Sequence, residues 1–230
     1  RRIKLTLDQN VRLVFNRINS AKKRSPYNQD VELIAATKTR DILQIQNCFE
    51  LGVSSIGENR IQEAEKKLKT LPSLNSIKKR FIGHLQTNKV NKCLRLFDTI
   101  DSVDTIKLAE KINSSSQSKK IECLIEINTS GESQKKGFKP KLSIELMSCF
   151  SLENLDIVGL MTIGPYTTNE EEIRGSFQTL RVFKEKINQE LGEKRLTELS
   201  MGMSNDFELG VEEGSTMVRV GTGIFGPRNY

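Results

Sequence analysis

Short apolar runs of strand length alternate with segments of helical period along almost the whole chain, and this alternation limits the fold more than any other feature. Strands are expected at 31–38, 54–58, 80–84, 99–103, 121–128, 156–164, 198–203 and 217–222. Between them, Ile42, Ile45 and Phe49 recur at helical spacing up to Gly52, and Ile61, Ala64, Leu68 and Leu71 up to Pro72. Ile106, Ala109 and Ile112 run into the serine-rich 114–118 segment, and the longest pattern, from Ile173 to Leu191, stops at Gly192, suited to a left-handed C′ position. Strands separated by helices pair in parallel with right-handed crossovers. Eight of them predict an α/β fold, a single (β/α)8 TIM-type barrel over residues 1–230. A doubly wound open sheet competes, because 54–58 and 99–103 are weak strands. Leu7, Val11, Val14, Phe15 and Ile18 predict an additional N-terminal helix. Only 223–230 follow the last strand, so this helix is expected to fill the gap between the last strand and the first.

Composition narrows the function. A chain of 230 residues can bury a large core as one domain. No apolar stretch approaches the roughly 20 residues needed to span a bilayer, so a soluble protein without a membrane partner is expected. The first residue is Arg1 rather than methionine, which leaves open a targeting segment ahead of it. Cys48, Cys93, Cys123 and Cys149 are scattered, three of them on apolar faces, and are read as reduced core residues. His84 is the single histidine, which argues against zinc catalysis and against a Ser-His-Asp set. The net charge of +7 suits an anionic ligand or a nucleic acid. Dispersed lysines, no Trp and three Tyr argue against a nucleic-acid surface.

In a barrel the active face is built from residues just after each strand. Lys38 closes the first strand, where a partly desolvated amine can act as a neutral nucleophile toward an aldehyde. Gly221-Thr222-Gly223, at the eighth, offers backbone N–H groups that a phosphate can approach closely, with the Thr222 hydroxyl beside them. Ser204 is expected to begin a short helix over 204–213 whose positive end could serve the same anion. An aldehyde carrying a phosphate, such as pyridoxal phosphate, would satisfy both ends. Plainer readings stand beside these. Ser204 could be only a helix cap, and Asn59 only the cap of the Ile61 helix, with Gln62 completing a capping box. Arg219 lies in an otherwise apolar strand and must find a partner, either a carboxylate such as Glu58 or a ligand heteroatom. Glu58 could orient Lys38 or pair with Arg60, and His84 is left unassigned.

Several strand-end segments together resemble a known family. They are Ala36-Thr37-Lys38, Gly57-Glu58-Asn59-Arg60-Ile61-Gln62-Glu63, Phe81-Ile82-Gly83-His84-Leu85-Gln86-Thr87-Asn88-Lys89, Gly159-Leu160-Met161, Leu199-Ser200-Met201-Gly202-Met203-Ser204-Asn205-Asp206, and the run from Gly214 to Gly226. In order, from about residue 30 to the end, they are similar to the pyridoxal phosphate homeostasis proteins. The resemblance implies a barrel like that of bacterial alanine racemase, with pyridoxal 5'-phosphate bound as a Schiff base to Lys38. It also implies Asn59 beside the cofactor, Ser204, Gly221 and Thr222 at its phosphate, and Arg219 near the pyridine nitrogen. Two positions depart from the pattern. Lys79-Arg80 stand where an aromatic and a histidine are usual, and Arg60 where tyrosine is frequent.

An arginine cannot give its proton to a pyridine nitrogen, so a ring facing Arg219 is a poorer electron sink. Racemisation also needs an acid and a base on opposite faces of the substrate. Related racemases bring the second group from another domain, for which this chain has no residues left. These points argue against robust turnover, and the resemblance implies a cytoplasmic carrier that buffers pyridoxal phosphate or delivers it to PLP-dependent apo-enzymes, keeping amino-acid and vitamin B6 pools balanced. A monomer is expected because the one-domain chain shows no obvious exposed apolar stripe. The alternatives are a PLP-dependent amino-acid racemase and, from barrel and phosphate site alone, a sugar-phosphate isomerase or lyase.

Overall fold

A computed structural model describes residues 5–68, 76–117 and 119–227. Eight parallel strands close into a barrel in chain order: β1 (Glu32–Ala36), β2 (Ser55–Glu58), β3 (Lys78–Phe81), β4 (Thr99–Val103), β5 (Ile121–Glu126), β6 (Leu155–Met161), β7 (Glu198–Met203) and β8 (Met217–Val220). The ring is shut by β8 lying against β1, with Ile34 opposite Arg219. The open-sheet alternative is thereby excluded.

The helices follow as α1 (Leu7–Arg24), α2 (Ile42–Glu50), α3 (Ile61–Leu68), α4 (Val90–Leu96), α5 (Ile106–Ser115), α6 (Ile144–Ser148), α7 (Glu170–Leu191), α8 (Phe207–Glu212) and α9 (Thr222–Phe225). Helix α1 starts at a capping box made by Thr6 and Gln9. It buries Val11, Val14, Ile18 and Ala21 in one cluster with Leu33 and Ala35 of β1, Val218 and Val220 of β8, and Phe207 of α8. It therefore covers the seam where the barrel closes, as its position in the sequence suggests. Helix α7 ends with Gly192 at φ 70°, the left-handed C-terminal geometry expected there. The stop at Leu71–Pro72 lies outside the described residues.

Three local expectations are corrected. Strand β3 spans Lys78–Phe81, two residues earlier than expected at its start, and His84 lies in the loop beyond it. Its three basic residues hide the strand pattern, yet each has a partner inside the fold. Lys78 pairs with Glu122 at 2.8 Å and Lys79 with Asp98 at 3.3 Å. Arg80, 1% exposed, reaches Glu32 of β1 at 3.0 Å, Asp101 of β4 at 3.3 Å and Glu122 of β5 at 3.4 Å, so its guanidinium lies within the ring of strands. Helices α4 and α6 have no counterpart in the sequence reading, because each is only one or two turns long and too short to show a period. The extended runs expected to reach 38, 128, 164 and 222 end at Ala36, Glu126, Met161 and Val220. The apolar pattern continues past those points because residues such as Ile127 remain buried under the loops.

Candidate functional site

The C-terminal ends of the strands open into a cleft of about 1290 Å³. Lys38, Asn59, Ser204, Arg219, Gly221 and Thr222, which come from β1, β2, β7 and β8 and the turns after them, all line it. Residues separated by more than 180 positions in sequence are thus brought to one wall by barrel closure.

Lys38 follows β1 in a turn, half-buried, and its amine has no hydrogen bond or ion pair among the described residues. The turn itself is held firmly. Thr37 donates its hydroxyl to Glu58 Oε1 at 2.6 Å, and Arg40 N–H bonds the Thr37 carbonyl at 3.0 Å. Glu58, 1% exposed, accepts from Lys67 Nζ at 2.8 Å, so it neither orients the Lys38 amine nor pairs with Arg60 or Arg219. Burial raises the Glu58 carboxyl above its ordinary range despite these bonds. Asn59 is exposed to the cleft without a side-chain bond among the described residues. The first helical bond of α3 goes to the carbonyl of Arg60, so Asn59 is not its cap.

Beside β1, past the ends of β7 and β8, Ser204 Oγ accepts the backbone N–H of Gly221 at 3.1 Å and of Gly223 at 3.2 Å. Its own proton has no acceptor among the described residues and remains to be donated to a ligand. The expectation that a helix begins at Ser204 is corrected. Ser204 to Asp206 form a turn and α8 begins at Phe207, so the hydroxyl is spent on the Gly221–Gly223 loop rather than on a helix end. A Cβ at Gly221 would lie 3.4 Å from the Ala36 carbonyl, narrowing the space between this loop and β1. The Gly223 N–H, like that of Gly221, is spent on Ser204 Oγ and fixes the turn.

Arg219 is 5% exposed. It donates through Nη1 to Ser200 Oγ at 2.6 Å and through Nη2 to the Thr162 carbonyl at 2.7 Å, with no carboxylate in direct contact among the described residues. Burial lowers its pKa, against the pull of Asp101, Glu126 and Asp206, yet a guanidinium stays charged. Two of its five N–H donors are anchored to protein in this way. Thr162 in turn bonds Thr129 at 2.8 Å, which bonds Ser176 of α7 at 2.6 Å, so the arginine is braced from behind. Ser200 and Thr162 were not singled out from the sequence. The signal available was a hydroxyl within β7 and another just past the end of β6, in stretches that otherwise carry buried apolar side chains.

His84 Nδ1 lies 2.9 Å from Asp104 Oδ2. Burial and the neighbouring Asp104 push the Glu126 carboxyl up to about 7. The four cysteines are free and buried, and burial raises the thiols of Cys48 and Cys149 to about 12, which makes them inert. Among the described residues no His, Cys, Asp and Glu group could hold a metal, and no helix is long and apolar enough to cross a membrane.

The donor set therefore combines one unpartnered amine, the Ser204 hydroxyl beside the Gly221–Gly223 turn it holds, and a fixed guanidinium. It suits a ligand with a carbonyl at one end and a phosphate at the other. The alanine racemase N-terminal domain family matches residues 10–229. A pyridoxal phosphate homeostasis protein of Aquifex aeolicus is 39% identical over 94% of this chain and 96% of its own length. One from Homo sapiens is 37% identical, covering 96% of this chain and 86% of that protein. The structure of PipY from Synechococcus elongatus with PLP bound superposes with a TM-score of 0.79 at 33% identity, covering 92% of this chain and 99% of that one. An alanine racemase of Clostridium difficile 630 shares the fold, with a TM-score of 0.72 at 18% identity over 96% of this chain and 57% of that one.

Proposed function

Since the chain belongs to the pyridoxal phosphate homeostasis proteins, which carry the alanine racemase N-terminal domain, we propose that it binds pyridoxal 5'-phosphate and serves vitamin B6 homeostasis as a carrier. Lys38 is the amine that holds the aldehyde carbon covalently. Ser204, Gly221 and Thr222 hold the phosphate, Asn59 lies beside the ring, and Arg219 meets the ring nitrogen. The observation that carries this reading is the convergence, in one cleft, of an amine without a partner and a serine hydroxyl already fixed by two backbone amides.

The residues fit the group chemically. When bound, the cofactor supplies an electrophilic carbon and an electron-withdrawing ring. Arg219 cannot move a proton to that ring, because its guanidinium does not give one up, and its anchors to Ser200 and Thr162 keep it in place as a fixed donor. Demanding carbanion chemistry is disfavoured by that arrangement, which supports carriage over turnover. We place the protein in the cytoplasm as a monomer that buffers the cofactor or passes it to PLP-dependent apo-enzymes.

Borohydride reduction of the loaded protein followed by peptide mass spectrometry tests this directly. A pyridoxyl adduct on Lys38, lost in Lys38→Ala, is expected. An adduct located elsewhere, or none, would refute the assignment. Sustained turnover of an amino acid that Lys38→Ala abolishes would show an enzyme such as a racemase instead.

A further inference from the structure

A second lysine holds the turn that presents Lys38. Lys67, on α3, donates to the Thr37 carbonyl at 2.6 Å and to Glu58 Oε1 at 2.8 Å, and its Nζ lies 2.7 Å from Glu63 Oε1. Glu63 in turn accepts the backbone N–H of Thr39. Burial pushes the Glu63 carboxyl up, but the bonds from Lys67 and from Thr39 outweigh it and hold the group below its ordinary value. The residues on both sides of Lys38 are thus tied to one cluster of charges.

The turn needs such a tie. Thr39 has φ 63°, in the left-handed region that a β-branched residue avoids. A conformation of that kind persists only where the surroundings over-determine it, and here they do so beside the reactive amine. The two lysines also divide the work. The three N–H donors of Lys67 all have oxygens to face, whereas the Lys38 amine has no acceptor among the described residues and points into the cleft.

We propose that Lys67, with Glu58 and Glu63, is a positioning clamp that aims the Lys38 amine at the cofactor aldehyde and sets how fast the two condense. The inference rests on the reading of Lys38 given above. In the condensation the carbon–oxygen double bond is replaced by a carbon–nitrogen one, and the oxygen leaves as water with the two amine protons. The clamp takes no part in that exchange and acts through the backbone of 37–39.

Lys67→Met and Lys67→Arg, with Glu63→Ala as a second route should Lys67→Met fail to fold, separate positioning from general stability. Capture of pyridoxal 5'-phosphate is followed by stopped-flow absorbance. Binding of pyridoxine 5'-phosphate, which has the ring and phosphate but no aldehyde, is measured by calorimetry. Lys67→Met and Glu63→Ala are expected to slow capture by roughly tenfold to a hundredfold, the scale set by a misplaced reacting group, while pyridoxine 5'-phosphate affinity stays unchanged. Lys67→Arg should recover part of the rate. Equal losses for both ligands, or capture at the wild-type rate in a folded variant, would overturn the clamp alone. A wild-type protein with no adduct at Lys38 would remove the cofactor reading and the clamp together.

Discussion

Replacing Glu126 with glutamine should remove most of one pH dependence from the stability of this protein. Glu126 ends β5 with its side chain buried, and no donor among the described residues bonds its carboxyl. Burial first, then the nearby Asp104, raise its pKa from 4.5 to about 7, with Arg219 opposing them too weakly to prevent it. The native state therefore binds more protons than the unfolded chain between those two values, and stability must fall as pH rises through that window. The group costs just under 1 kcal/mol at pH 5 and a little over 3 at pH 8, a loss of roughly 2 to 3 kcal/mol between them. For a chain of this length that corresponds to about 5 to 10 °C in melting temperature. Thermal melts of wild type and Glu126→Gln at pH 5, 6, 7 and 8 give the difference directly. The His84–Asp104 pair that neighbours the site is present in both proteins and largely cancels. The variant is expected to gain on the wild type steadily as pH rises. Parallel curves would refute the reasoning and show that the carboxyl is paired or hydrated.

The other expectations concern binding and packing. Ser204→Ala removes one donor to a phosphate and the acceptor of two loop amides, and should weaken pyridoxal 5'-phosphate binding by about 1.5 to 3 kcal/mol in equilibrium titration. Arg219→Ala leaves the Thr162 carbonyl and Ser200 hydroxyl without their donor. It should cost about 1 to 3 kcal/mol in urea denaturation for each group left unpaired, and alter the absorbance of the bound cofactor with modestly weaker binding. Ile18→Ala, 3% exposed on α1, should destabilise by about 2 to 5 kcal/mol because the helix seals the β8–β1 seam. A melt unchanged from wild type would show that α1 is dispensable to the barrel.

The order of elements was readable in the chain because each signal is local. The strand from Thr99 to Val103 and that from Glu198 to Met203 appear at their expected limits, and the left-handed stop at Gly192 follows from the one residue type that takes that conformation freely. The candidate site was also legible, since in a parallel barrel any residue just beyond a strand faces the same end. Lys38, Asn59, Ser204, Arg219, Gly221 and Thr222 meet in one cleft for that reason. The start of β3 was misplaced because Lys78 and Lys79 look like surface residues until their partners Glu122 and Asp98 are known.

Periodicity and strand-end residues were enough to state that a barrel forms and which side chains gather at its mouth, since both depend on spacing along the chain. Partner choice was beyond their reach. That Glu58 binds Lys67, that Arg219 rests on a serine and a carbonyl instead of a carboxylate, and that Ser204 caps a glycine loop instead of a helix are contacts between separate elements that spacing along the chain does not fix. Packing of α3 on β2 and pairing of β7 with β8 bring those groups within hydrogen-bonding distance, where buried polar atoms seek a partner that satisfies them.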